Sequence, residues 1–127
     1  MKFLSLFILL LLGACNNNLD MTTQEGGKKV IDKLKTEIIV LAESSSCSEE
    51  DNCNFVGLGS KPCGGHWEYL LYSSSIDTIE LLAKVEEYNN LEIEFNQKWG
   101  IISDCSFVIP PDSVTCEDGK CKAVYSN

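Results

Sequence analysis

DTIELLAKVEEYNNLEIEFNQKWG, residues 77–100, is the stretch around which the fold can be read. Asp77-Thr78-Ile79-Glu80 has capping-box spacing: the carboxylate at position 77 accepts from first-turn amides while the one at 80 reaches back. Leu81, Val85, Tyr88, Phe95 and Trp99 recur near one face, with Leu82 and Leu91 at its edges. This period predicts an amphipathic helix from residue 78 to about residue 98, and Gly100 is its stop. Glu80 with Lys84, and Glu94 with Lys98, stand four apart in the favourable order, so each pair is expected to add about 0.2 to 0.5 kcal/mol on an exposed face.

The segments on either side of that helix have strand character. Residues 66–72 alternate, with Trp67, Tyr69 and Leu71 on one side and Glu68, Leu70 and Tyr72 on the other, which predicts a strand with aromatic content to match. Residues 101–109 have strand-like composition and end at Pro110-Pro111. Residues 114–125 read as a hairpin turning at Asp118-Gly119, a pair suited to a tight two-residue turn. In that register Cys116 faces Cys121 at a non-hydrogen-bonded position, where a cross-strand disulfide is the expectation.

Before the helix, residues 28–43 place Val30, Ile31, Leu34, Ile38 and Leu41 at helical spacing, which predicts a second, shorter amphipathic helix. Ile38-Ile39-Val40 is β-branched, so a strand over residues 36–41 competes with it. Residues 44–65 are rich in Ser, Gly and acidic residues and read as a loop, interrupted by a short strand at residues 55–56. Residues 16–27 are polar, carry Gly26-Gly27, and read as a disordered tether.

The first fifteen residues differ in kind. Lys2 is followed by an apolar run over residues 3–12, relieved only by Ser5, and then by Gly13-Ala14-Cys15. A membrane span needs about 20 apolar residues, and this run has about half that number. It has the charge, length and small residues of a signal peptide. Leu12-Gly13-Ala14-Cys15 resembles the lipobox of bacterial lipoproteins, and the resemblance covers the leader only. It implies cleavage after residue 14, diacylglycerol on the Cys15 thiol, and a further acyl group such as palmitate on the new amine. The expected organisation is a signal peptide at 1–14, a lipidated cysteine and flexible tether at 15–27, and one disulfide-rich domain at 28–127. Such a protein is expected in the bacterial cell envelope, lipid-anchored to the membrane and facing the periplasm or the exterior.

With Cys15 assigned to lipid, six of the seven cysteines remain: Cys47, Cys53, Cys63, Cys105, Cys116 and Cys121. An exported chain folds where paired cysteines persist, so three disulfides are expected. Six cysteines allow fifteen connectivities, and apart from the hairpin pair the spacing does not choose among them.

The chain carries 19 acidic against 10 basic residues, a formal charge of −9, and every basic residue is lysine. Without arginine forks, and with a field that repels phosphate, nucleic acid is excluded as a partner. The ordinary reading of so acidic a surface is solubility in the envelope; the alternative is attraction of a basic protein partner.

Motifs for chemistry are weak. Cys63-Gly64-Gly65-His66 could pair a thiol with a base or contribute zinc ligands beside Cys47 and Cys53, yet the spacing is not a zinc pattern and export favours oxidation. His66 is the only histidine, so any Ser-His or Cys-His chemistry depends on it. Gly57-Leu58-Gly59-Ser60-Lys61 has its lysine and hydroxyl in the wrong order for a phosphate loop and reads as turn chemistry. Glu86, Glu87, Glu92 and Glu94 fall on the long helix, where a solvated face is the ordinary reading rather than a glycosidase pair. No metal or other cofactor is expected. Trp67, Tyr69 and Tyr72 form a candidate recognition patch, or else anchor the core.

The expected fold is therefore α+β: one long helix and a shorter one on a few antiparallel strands with a C-terminal hairpin, stapled by disulfides. The expected function is a non-enzymatic binding or structural module of the envelope, in one version an inhibitor of a basic hydrolase. The alternative is a small envelope hydrolase using His66 or the helix carboxylates.

Overall fold

The computed structural model describes residues 20–48 and 52–126; the leader, Cys15 and the tether as far as residue 19 lie outside the described residues. The order of elements is α1 (Gln24–Glu43), β1 (Cys53–Leu58), β2 (Glu68–Ser73), α2 (Thr78–Trp99), β3 (Ser113–Glu117) and β4 (Lys120–Val124). This is the α+β, disulfide-stapled domain expected from the sequence.

α2 has the predicted limits. Asp77 Oδ1 accepts from the Glu80 amide at 3.0 Å, and Gly100 closes the helix in the left-handed conformation, where a side chain would be strained. Leu81, Val85, Tyr88 and Phe95 are buried along one face. Against them lie Ile31, Leu34, Ile38 and Ala42 of α1, so residues 36–41 are helical and not a strand. The helical cost of a β-branched residue is a few tenths of a kcal/mol, less than the gain from fully burying Ile38.

α1 also begins earlier than expected. Thr23 caps it by accepting from the Gly26 amide at 3.0 Å, so the last four residues assigned to the tether are helical. Gly27 allows the helices to close at this end: a Cβ there would stand 3.1 Å from the Phe95 ring. The lysines expected to pair within α2 instead reach outward. Lys84 meets Glu37 of α1 at 3.0 Å, and Lys98 donates to the Met21 carbonyl at 3.0 Å.

β1 and β2 form an antiparallel pair, and the strand expected at residues 55–56 extends over six residues. Val56, Leu58, Leu70 and Tyr72 pack toward the helices, while Phe55 and Tyr69 meet edge to face on the other side, centroids 5.7 Å apart.

β3 and β4 form the predicted hairpin, with Cys116 opposite Cys121 and a turn in which Asp118 (φ 50°) and Gly119 (φ 75°) are both left-handed. The disulfide expected between those two cysteines is not formed. Cys116 bonds Cys47 and Cys121 bonds Cys53, while the third bridge joins Cys63 to Cys105. Opposed side chains leave a hairpin on the same face, and here that face meets the chain around residues 47 and 53. A bridge within the hairpin would close a loop its backbone already closes. Bridges over separations of 69 and 68 residues restrict the unfolded chain far more and attach a hairpin that buries little of its own surface.

Residues 101–109 are not a strand. They and the two prolines after them form an irregular segment joining α2 to β3. Among the described residues each sheet has two strands and neither pairs with this segment, which is held instead by a backbone bond to α2, the Lys61 ammonium and a disulfide.

Candidate functional site

On the polar side of α2, Asn89, Glu92 and Asn96 stand three and four residues apart and so share a face. Asn89 Oδ1 accepts from the Gly59 amide at 2.7 Å, Asn89 Nδ2 donates to the Gly57 carbonyl at 3.1 Å, Glu92 Oε2 accepts from the Ser60 amide at 2.6 Å, and Asn96 Nδ2 donates to the Ser60 carbonyl at 2.7 Å. Four backbone groups leaving β1 are thereby satisfied by one helix. Gly59 (φ 82°) makes the bend, and Lys61 follows in a fixed position, its amide donating to the Gly65 carbonyl at 2.9 Å.

Lys61 is the focus of the arrangement. Its side chain is 5% exposed, and its ammonium donates to Asp104 Oδ1 at 3.0 Å, to the Ser106 carbonyl at 2.9 Å and to Ser106 Oγ at 3.3 Å. It also lies 5.0 Å from the centre of the Trp67 ring, a cation–π distance. A buried ammonium is tolerated only when its three protons find acceptors, and here they do. Asp104 in turn accepts from the Ser106 hydroxyl and amide, and these bonds with the Lys61 ammonium hold its carboxyl down at about 2.

The segment so held runs over residues 101–111. Its start is fixed by the Ile101 amide donating to the Asn96 carbonyl at 3.0 Å, and its middle by the Cys63–Cys105 bridge. Its end is fixed by buried Pro111 and by Asp112, whose amide donates to the Val124 carbonyl at 3.0 Å and whose carboxylate accepts from the Ser126 amide at 2.6 Å. Pro110 and Pro111 fix their own φ and confine Ile109 to extended backbone. Between these anchors three apolar side chains face water, Ile102 90% exposed, Phe107 75% and Ile109 67%, while Val108 is half-buried.

A second feature is a cleft of about 1140 Å³ between α1 and α2, floored by Ile31, Tyr88, Phe95 and Ile101, with Trp67 at its edge. The lysines at its rim are matched by acids: Lys28 with Asp32, Lys29 with Glu25, Lys35 with Glu68. Glu92 lies within it, half-buried, and burial pushes its carboxyl above the ordinary range despite bonds from the Ser60 amide and the Trp67 indole. Burial likewise pushes the Tyr88 phenol up.

The residues singled out in the sequence are separated by this geometry. Of the aromatic patch, Trp67 is exposed beside the cleft, Tyr69 is half-buried against Phe55 and His66, and Tyr72 is buried in the core. Strand alternation sends 69 and 72 to opposite faces, so the three do not form one surface. His66 Nδ1 donates to the Gly59 carbonyl at 2.8 Å, since a carbonyl can only accept. Cys63 is oxidised to a disulfide and is no thiol partner for it. Glu86, Glu87 and Glu94 are solvated as expected, whereas Glu92 turns into the cleft. The sulfurs of Cys47, Cys53 and Cys121 lie within 4.8 Å of one another, but each belongs to a disulfide and none is a thiolate ligand. Among the described residues, no helix is long and apolar enough to cross a membrane.

The loop and its lysine anchor were missed in the sequence. The available signals were Asn89, Glu92 and Asn96 on one helical face, and a Pro-Pro pair following Phe107 and Ile109. No family model, curated protein or solved structure matches this chain.

Proposed function

We propose that this chain is a lipid-anchored, non-enzymatic binding module of the bacterial cell envelope, held to the membrane through Cys15 and engaging a basic protein partner through residues 101–111. The observation that supports it is the pinned, solvent-facing loop. An ordered segment exposing Phe107 and Ile109 has already lost the conformational freedom that binding would otherwise remove, so contact energy goes into affinity. The −9 charge of the chain suits a basic partner and would speed encounter with it. Inhibition of a basic hydrolase is one form of this role.

Two measurements test it. Labelled palmitate should enter the wild-type protein and not C15S, which should leave the membrane fraction. Cross-linking in intact cells should join the wild-type protein to a basic envelope or extracellular protein. That adduct should be lost in F107A/I109A and weakened by added salt. An adduct unaffected by both changes removes the reading.

A further inference from the structure

We infer that residues 101–111 form a substrate-like loop for the active-site cleft of an endopeptidase of aromatic specificity, with Phe107 as the side chain that enters its specificity pocket. This rests on the binding role proposed above and names its partner class.

A peptidase cleft binds its substrate as an extended, unpaired strand, reading one principal side chain and hydrogen-bonding the backbone beside it. Residues 106–109 offer that form: they have strand-like composition and no pairing in either sheet, Pro110 confines Ile109 to extended backbone, and Phe107 and Ile109 are exposed to solvent. Phe107 is the one aromatic residue in the segment, and a large exposed ring on an ordered backbone is the kind of group that anchors interface centres. Interfaces between peptidases and their protein inhibitors involve little backbone movement, which requires a loop shaped before contact.

The anchors explain why such a loop would inhibit rather than be consumed. Hydrolysis of the Phe107–Val108 bond adds one water and yields a carboxylate on Phe107 and an amine on Val108. The new carboxylate end stays tied two residues away by Cys105 to Cys63, and one residue away by Lys61 to the Ser106 carbonyl. The amine end stays tied through buried Pro111 and the pairing of Asp112 with Val124. In an ordinary substrate the two ends diffuse apart. Here they remain side by side, at an effective concentration that favours resealing and retains the complex.

The test uses the full chain in mild detergent, with chymotrypsin and subtilisin as aromatic-accepting probes and trypsin as the basic-specific control. Wild type should inhibit at least one of the first two competitively and spare trypsin. F107A should weaken that inhibition by about 100-fold or more, and F107K should transfer inhibition to trypsin. Unchanged disulfide masses and circular dichroism establish that the variants fold. The inference is overturned if neither aromatic-specific enzyme is inhibited, if the loop is cleaved and released as a plain substrate, or if F107A inhibits like wild type. Should inhibition fail while F107A/I109A still abolishes the adduct in cells, the peptidase assignment falls and the binding role stands.

Discussion

Replacing Lys61 by Met keeps most of the buried stem and removes the three contacts from its ammonium to Asp104 and Ser106. Breaking a buried ion pair usually costs about 3 to 5 kcal/mol, because the stranded partner stays buried. Here the partner is Asp104, 70% exposed, so water re-solvates it and that part of the cost is absent. What remains is the loss of charge-assisted bonds at about 1.5 to 3 kcal/mol each, offset by no longer desolvating an ammonium, for a net loss of about 2 to 3 kcal/mol. The loss is local to the loop. Amide exchange at Ser106, whose N–H donates to Asp104, should therefore accelerate by about 30- to 140-fold while α2 amides change little. Exchange within about twofold of wild type at Ser106 would refute the claim that Lys61 holds the loop.

The remaining predictions concern the same framework. C63A/C105A opens a bridge of sequence separation 42, worth about 4 kcal/mol by loop closure and nearer 3 because the other bridges already shorten the path; urea unfolding should show that loss. Asp104, held down at about 2 by Ser106 and Lys61, contributes stability that is complete above its ordinary value of 3.8 and fades as pH falls toward 2, so the Ser106 amide resonance should shift over that window and stay still in D104N. Glu92 has the opposite sign. Its carboxyl is raised by burial, so stability falls as pH rises past its ordinary value of 4.5, and E92Q, which keeps an oxygen for the Ser60 amide, should flatten the dependence of Tm on pH. G57A should cost about 1 to 3 kcal/mol in thermal unfolding, because its Cβ would stand 2.1 Å from the His66 ring and must displace it.

What the sequence determined by itself is what short-range physics decides. The cap at Asp77, the apolar period through Leu81, Val85, Tyr88 and Phe95, the stop at Gly100 and the turn at Asp118-Gly119 each depend on neighbours within a few residues, and all were legible. Tertiary structure alone decided the rest. The pairing of Cys116 and Cys121 depended on which distant sulfurs the hairpin's shared face would meet, and local register had no knowledge of Cys47 or Cys53. Residues 101–109 have a strand's composition but no strand to pair with, because hydrogen-bonding partners are a property of the whole sheet. Lys61, one of ten lysines, became the anchor of the exposed loop only because Asn89, Glu92 and Asn96 on α2 fix the backbone before it. A side chain's role in holding distant segments is set by three-dimensional proximity, which sequence spacing does not encode.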